Sequence, residues 1–363
     1  LNHRLNAFGY CYLAALGFRD GGNAGQLDLI LALEWVRDNI ANFGGDPSCV
    51  TVFGQSGGGA KIATLMAMPA ARGLFHRAFT MSGQQVTASG PLNATRRTDA
   101  FLGSLVLNGA EASQIATLPT APLVETLTAT DPVLGFGSIY FGPVLDERHL
   151  TRHPFYPDAA PQSLSIPMMI GNTHDETRGF VGADRSLFAL TWDDVPARLA
   201  TAMRIDVLPE RVVAEYRQLY PHYSPSDVYF AASTAARSWR GALIELEARA
   251  EANAPAFAYQ LDWRAPAEGG IFGAPHTLDI PLVFGNLEAS TFVGERTEAG
   301  EAMSRTMMDA LLRFARTGNP GWAPYTLPDR ATMIFDNQSR VENDPRREER
   351  ELFAKVPYIQ PGT

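Results

Sequence analysis

The residues whose spacing carries the most chemistry are Gly54-Gln55-Ser56-Gly57-Gly58. Val50-Thr51-Val52-Phe53 precede them, and Ala60, Ile62, Ala63, Leu65 and Met66 follow. A serine flanked by glycines at two-residue intervals, between a β-branched run and a helix-like segment, describes a sharp strand-to-helix turn that pushes the hydroxyl out of a sheet. On this reading a side chain at either Gly54 or Gly58 would collide with neighbouring backbone. The start of the helix places the Gly57 N–H beside the hydroxyl as one donor for a developing oxyanion. The chemistry this serves is attack by Ser56 on an acyl carbon.

A serine hydroxyl is a poor nucleophile at neutral pH, so Ser56 needs a base, and the base needs a carboxylate to fix its tautomer and stabilise its charged form. Hydrolases with a serine on such an elbow present nucleophile, acid and base in that order along the chain. Of the histidines after Ser56, His76 comes too soon and is expected to pack near the following strand. His149 and His153 have i,i+4 spacing, but Pro154 interrupts a helix there and no third metal ligand accompanies them. His174 directly precedes the candidate acids, and His222 lies between Pro221 and Pro225. His276, on a loop after a late strand, stands where the order requires the base. For the acid, Asp175 and Glu176 end a buried strand midway between Ser56 and His276. Asp146 is a rival, and Asp175 could instead cap its own turn.

The elements that must position these groups follow from periodicity. Leu27, Ile30, Leu31, Leu33, Val36 and Ile40 mark a helix over 26–40, which Phe43-Gly44-Gly45-Asp46-Pro47 stops. Val50–Phe53, Ala78–Met81, Ser165–Gly171 and Phe257–Leu261 read as buried strands. Several helices are expected over 183–252, and a strong one over Glu301–Thr317, ended by Gly318-Asn319-Pro320. Helices alternating with buried strands predict an α/β fold with a mostly parallel sheet covered on both faces. Chemistry in such sheets sits at the carboxyl ends of the strands, where Ser56 and Glu176 fall. Excursions are expected at about 90–165 and 183–252, the latter covering the sheet edge or forming a lid. Leu1 to Arg4 read as the tail of a strand already under way, which predicts that the chain begins inside the fold.

Composition excludes several classes of function. A net charge of −9 over 363 residues, without a long basic run, argues against phosphate-backbone binding. Two cysteines, Cys11 and Cys49, make neither a disulfide framework nor a zinc site and are expected to be free thiols. Apolar runs stay at about ten residues, as at Gly9–Phe18, against roughly 20 for a membrane span. No metal or cofactor is implied, and the partner expected is a small-molecule ester. Oligomeric state and localisation are not legible.

Further stretches identify a resemblance to the type-B carboxylesterase family, the cholinesterase-like branch of the α/β-hydrolases. Asn2-His3-Arg4-Leu5 resembles its N-Y-R-L. Gly22–Asp28, Ala32–Val36, Asn39-Ile40 and Phe43–Pro47 are similar to the segment before its nucleophile, and Leu74–Ala78 with Ser82-Gly83 to the segment after it. Gly142–Asp146 resembles its G-P-V-x-D, Asp175-Glu176 its D-E-G, His276–Phe284 its histidine loop and Phe314–Pro320 its final helix. The resemblance spans nearly the whole chain and implies one α/β-hydrolase domain lacking its N-terminal strands. It implies an ester hydrolase with Ser56 as nucleophile, Glu176 as acid and His276 as base. It further implies a structural Asp146, a hydrogen bond from Ser82 supporting the triad, and a substrate pocket lined by Gln55, Ile139 and Phe141. Gln55 stands where the family usually has Glu, and Thr177 replaces the glycine after the acid. The family's oxyanion loop lies upstream of the segment resembled by Asn2–Leu5. A non-catalytic adhesion or scaffold protein, or a lipase on the same fold, are the competing readings.

Overall fold

The structure, a computed structural model, describes residues 1–107, 109–203 and 205–360. Its centre is a six-stranded sheet in the order β1 (Thr51–Gln55), β2 (Arg77–Met81), β3 (Met168–Thr173), β4 (Ala256–Leu261), β5 (Ala331–Phe335) and β6 (Arg340–Asn343). The first five strands are parallel, and β6 returns antiparallel. Spatial order follows chain order because each parallel neighbour is reached by a crossover of the kind parallel pairing demands.

Side chains alternate between the sheet's two faces, as a period of two requires. Ala78, Met168, Ile170, Ala256 and Ala258 face one core. Phe79, Met81, Met169, Phe257, Tyr259 and Leu261 face the other. The first face, rich in small residues, takes α1 (Ala24–Asn39), α2 (Gly57–Leu65) and, further along the chain, α5 (Asp194–Ala202), α6 (Pro209–Leu219), α7 (Pro225–Thr234) and α8 (Arg240–Glu251). The second, with larger side chains, takes α9 (Asp279–Phe284) and α10 (Glu298–Thr317). In α10 the buried Met303, Met307, Ala310 and Phe314 recur at helical spacing, Thr297 caps the start by accepting from Gly300 N–H at 3.1 Å, and Gly318 ends it in the left-handed region at φ 77°. A third apolar cluster joins Tyr10, Cys11 and Leu13 to α3 (Pro91–Ser104), Ile139 and Phe141. Between β3 and α5 lies the short α4 (Glu176–Val181).

The predicted helices over 26–40 and 301–317 and the four predicted strands are present within a few residues, and several helices lie within 183–252 as expected. Two readings are corrected. Leu1 to Leu5 form no strand; they run into a short helix, Asn6–Tyr10, and Arg4 is drawn onto Asp28 of α1 by a two-pronged ion pair at 2.6 and 2.8 Å. The sequence reading also lacked β5 and β6, which follow α10. Their only signal is the five-residue run Ala331-Thr332-Met333-Ile334-Phe335, too short to be told from buried loop without its partner β4. Both cysteines are free, Cys11 buried and Cys49 exposed. Among the described residues no helix is long and apolar enough to cross a membrane.

Candidate active site

Ser56 sits between β1 and α2 with φ 54° and ψ −123°, a strained conformation for a residue with a side chain. Its N–H donates to Met81 O at 2.8 Å, extending the β1–β2 ladder by one residue, and its carbonyl accepts from Ala60 N–H at 3.0 Å, opening the helix. One residue therefore belongs to both elements, which is what makes the turn sharp. The glycines divide unequally. A Cβ on Gly54 would lie 2.6 Å from the Gly58 carbonyl carbon, whereas a Cβ on Gly58 would meet nothing within 4 Å. The expected collision therefore holds for Gly54 and is corrected for Gly58, whose hydrogens point into open space. The tight positions beyond the motif are Gly59 and Gly83, where added Cβ atoms would come within 2.9 Å of Gly83 Cα and 2.4 Å of Ser56 O. The N–H groups of Gly57 and Gly58, ahead of the first helical bond, have no partner within the helix. Gly57 is exposed and Ser56 half-buried.

The acid and the base meet through the loop that follows β4. Asp175 N–H donates to Ala274 O at 2.9 Å, and Ala274 N–H donates back to Asp175 Oδ2 at 3.0 Å, with Asp175 and Pro275 pairing as an isolated parallel bridge. Glu176 and His276, the next residues on each side, then face one another: His276 Nδ1 hydrogen-bonds Glu176 Oε2. The other oxygen of Glu176 accepts from Thr173 N–H at 2.9 Å and from Asn172 Nδ2 at 3.3 Å. These partners fix a fully buried carboxylate. Phe180, one turn along α4, stacks on the imidazole with ring centres 4.1 Å apart.

With Nδ1–H given to Glu176, the other ring nitrogen keeps a lone pair for a donor. Gln55 does not occupy it: its Nε2 lies 3.1 Å from His276 Nε2 and 3.4 Å from Nδ1, and the near-equality of the two distances places the amide against the face of the ring, off the line of the Nε2 lone pair. Ser56 Oγ makes no hydrogen bond with any described residue. The structure thus joins Glu176, His276 and Gln55, and brings the ring to the residue preceding Ser56 without a Ser56–His276 hydrogen bond.

The remaining candidates separate from this group. Asp146 Oδ1 accepts from the N–H groups of Arg148, His149 and Leu150 at 2.8–3.1 Å, a turn-capping role. Asp175 holds the His276 loop, and the positive charges of His174 and Arg178 keep its carboxyl far below the usual range against the opposing effect of burial. The Ser82 hydroxyl is buried without a hydrogen-bond partner, so the expected bond to the triad is corrected; its N–H instead donates to Gly171 O at 2.7 Å. Ile139 and Phe141 are buried in the third apolar cluster, Phe141 edge-on to Phe101, and make no ring contact with His276. His76 Nδ1 accepts from Val50 N–H at 3.2 Å, as expected of a histidine packed near the strand. His149 pairs with Asp20 at 2.7 Å and His153 Nδ1 accepts from Ala88 N–H at 3.1 Å, so the two serve different partners.

Sequence reasoning missed Asp279 and Gly179. Asp279 is fully buried on α9, accepts from Tyr259 O–H at 3.1 Å, and is pushed up to about 7 by burial and then by the charge of Glu176. An acid inside the apolar run Leu278-Asp279-Ile280-Pro281-Leu282 was its signal. Gly179 lies where a Cβ would come within 2.8 Å of His276 N.

A serine on a strand-to-helix elbow with a buried carboxylate–imidazole pair at the carboxyl edge of a parallel sheet defines an α/β-hydrolase. The carboxylesterase family model matches residues 1–353, so the chain belongs to the carboxylesterase family and is a carboxylesterase, a serine hydrolase of carboxylic ester bonds. It is 35% identical to the para-nitrobenzyl esterase of Bacillus subtilis over 97% of this chain and 71% of that protein. It is 29% identical to the phenmedipham hydrolase of Pseudarthrobacter oxydans over 96% and 70%. Its fold superposes on the Geobacillus stearothermophilus carboxylesterase EST55 with a TM-score of 0.83 at 30% identity, covering 97% of this chain and 74% of that one.

Proposed function

We propose that Ser56, His276 and Glu176 form the catalytic triad of this esterase and act through an acyl-enzyme. His276 Nε2 takes the Ser56 proton as Oγ bonds to the ester carbonyl carbon. It returns that proton to the departing alcohol as the C–O bond breaks. Water, deprotonated by the same nitrogen, then attacks the acyl carbon and releases the acid and Ser56. Glu176 holds the imidazole in the tautomer with Nδ1–H and stabilises its charged form. The Gly57 N–H contributes to the oxyanion hole. One observation carries the reading: the Asp175–Pro275 bridge fixes a Glu176–His276 pair at the residue next to an elbow serine.

The substrates proposed are small carboxylic esters, in keeping with relatives named for a para-nitrobenzyl ester and for phenmedipham. Ser56→Ala should reduce turnover of 4-nitrophenyl esters by roughly 10³-fold or more while leaving the melting temperature close to that of the parent. An organophosphate should label the parent at Ser56 and leave the variant unmodified. Turnover of the variant at the parent rate would show that another group is the nucleophile. A preference for short acyl chains would separate this reading from a lipase.

A further inference from the structure

The Phe180 ring touches two charged or chargeable groups. It stacks on the His276 imidazole with centres 4.1 Å apart and planes 28° apart, and the guanidinium carbon of Arg237 lies over it, 4.5 Å from its centre. Phe180 stands on α4, a helix of six residues and too short to be stable on its own. Its ring therefore keeps its place through contacts from elsewhere. A guanidinium over an aromatic face is attracted by the ring quadrupole, so Arg237 is one such contact, and it reaches the imidazole through a single side chain.

Arg237 is fixed in turn through its backbone. It lies in a π-helical turn, Ala235–Trp239, between α7 and α8. Such a turn interrupts the α-helical ladder, and turns of this kind recur at functional sites. The Arg237 carbonyl accepts from Gln84 Nε2 at 3.4 Å and from the Tyr358 hydroxyl at 3.3 Å. Gln84 follows Gly83, where an added Cβ would come within 2.4 Å of Ser56 O. The main chain of Arg237 thus joins the loop that backs Ser56, and its side chain joins the ring that backs His276. Ser56 and His276 come from distant segments of the chain and share no hydrogen bond, so what lies behind each sets their relative position.

We propose that Arg237 is a positioning residue: it ties the support of Ser56 to the support of His276 and so aims the imidazole at the proton it moves. This rests on the assignment of Ser56 as nucleophile and His276 as base. The step most sensitive to that aim is delivery of the proton to the departing alcohol. A 4-nitrophenolate is a weak base and departs without the proton, whereas an alkoxide departs only with it. A badly aimed ring therefore slows an alkyl ester more than a nitrophenyl ester of the same acid. A change that merely lowered the amount of folded enzyme would slow both alike.

The test measures kcat/KM, which reports acylation, for ethyl butyrate and for 4-nitrophenyl butyrate. Arg237→Met, which keeps an aliphatic stem and removes the planar cation, should lower the ethyl-to-nitrophenyl ratio by about tenfold. Arg237→Lys keeps the charge and loses the planar stack; it should lower the ratio by about threefold, and it decides the matter where Arg237→Met fails to fold. In a Phe180→Leu background the Arg237 substitution should change the ratio no further, because the contact it breaks is already gone. An unchanged ratio in the Arg237 variants, or losses that multiply in the double variant, overturns the proposal. Ser56→Ala run alongside separates the two readings. If it still cleaves both esters at the parent rate the nucleophile is wrong, whereas if it is inactive and the ratio ignores Arg237, only the present inference falls.

Discussion

Asp175 and Pro275 pair as a single parallel bridge beyond the β3–β4 ladder, out of the register that sets Thr173 against Leu261, because the chain loops out after β4 and returns at Pro275. That one pairing decides which acid reaches the imidazole. Asp175, at the bridge, spends both oxygens on Ala274 N–H, His174 and Arg178, and Glu176, one residue on, is turned to His276 Nδ1. The backbone bridge beside the ring and Phe180 stacked on it hold the His276 loop in place.

The close approach of Gly179 to His276 has a kinetic consequence. Gly179→Ala would place a methyl 2.8 Å from His276 N and 2.9 Å from its Cβ, so the histidine must move. A displacement of about 1 Å at a reacting group costs roughly 10²-fold in rate. Ester turnover should fall by about that factor, with a smaller loss of melting temperature. Parent-level kcat/KM in this variant would mean that the ring position does not limit the reaction.

Gln55 touches the face of the imidazole and leaves free the Nε2 lone pair that Ser56 would use. A neutral polar contact contributes about 1 kcal/mol net, so Gln55→Ala should loosen the ring. Organophosphate labelling is expected to fall by roughly fivefold. A faster rate would reveal that the amide obstructs the ring instead of supporting it.

Thr177 replaces a glycine of the resembled pattern and anchors α4 to α7. Its hydroxyl donates to Phe230 O at 2.9 Å and accepts from Ser233 Oγ at 3.0 Å, and its N–H donates to Thr234 Oγ1 at 3.2 Å. Thr177→Val keeps the shape and deletes the hydroxyl together with its buried bonds to Phe230 O and Ser233 Oγ. A loss of about 1–3 kcal/mol in denaturant unfolding is expected, with ester turnover largely retained. A variant as stable as the parent would show that the hydroxyl cluster is idle.

Two buried acids set a pH dependence of stability. Burial pushes Glu245 up to about 8 and, together with the Glu176 charge, Asp279 up to about 7. A carboxyl whose folded pKa is raised binds its proton more tightly folded than unfolded. Its contribution is complete below the unfolded value near 4 and is lost as pH rises through the folded value, at about 1.4 kcal/mol per pH unit for each group in between. Stability should therefore decline from about pH 5 to pH 8, and Asp279→Asn with Glu245→Gln should flatten the decline. A parent curve rising across that window would contradict the assignment.

Much of this molecule could be read before its coordinates. The 3.6-residue spacing in α1 and α10 and the β-branched run of β1 are local properties, so the helices, the inner strands and the elbow were legible. The order of Ser56, Glu176 and His276 was legible too, but Glu176 was preferred to Asp146 only through a family resemblance, since no local property ranks two acids at element ends. β5 was invisible because a five-residue apolar run acquires its identity from pairing with β4. The sequence also overstated Gly58. Its spacing is symmetric with Gly54 about Ser56, whereas the backbone crowds only one of them.

By itself, then, the sequence determined the main helices, the inner strands and the serine between strand and helix, because each depends on residue types a few positions apart. Only the tertiary structure decided that Glu176 meets His276 and that the Gln55 amide lies against the imidazole face. Those outcomes turn on distances between segments up to 221 residues apart, set by strand register and side-chain competition, for which chain spacing has no signature.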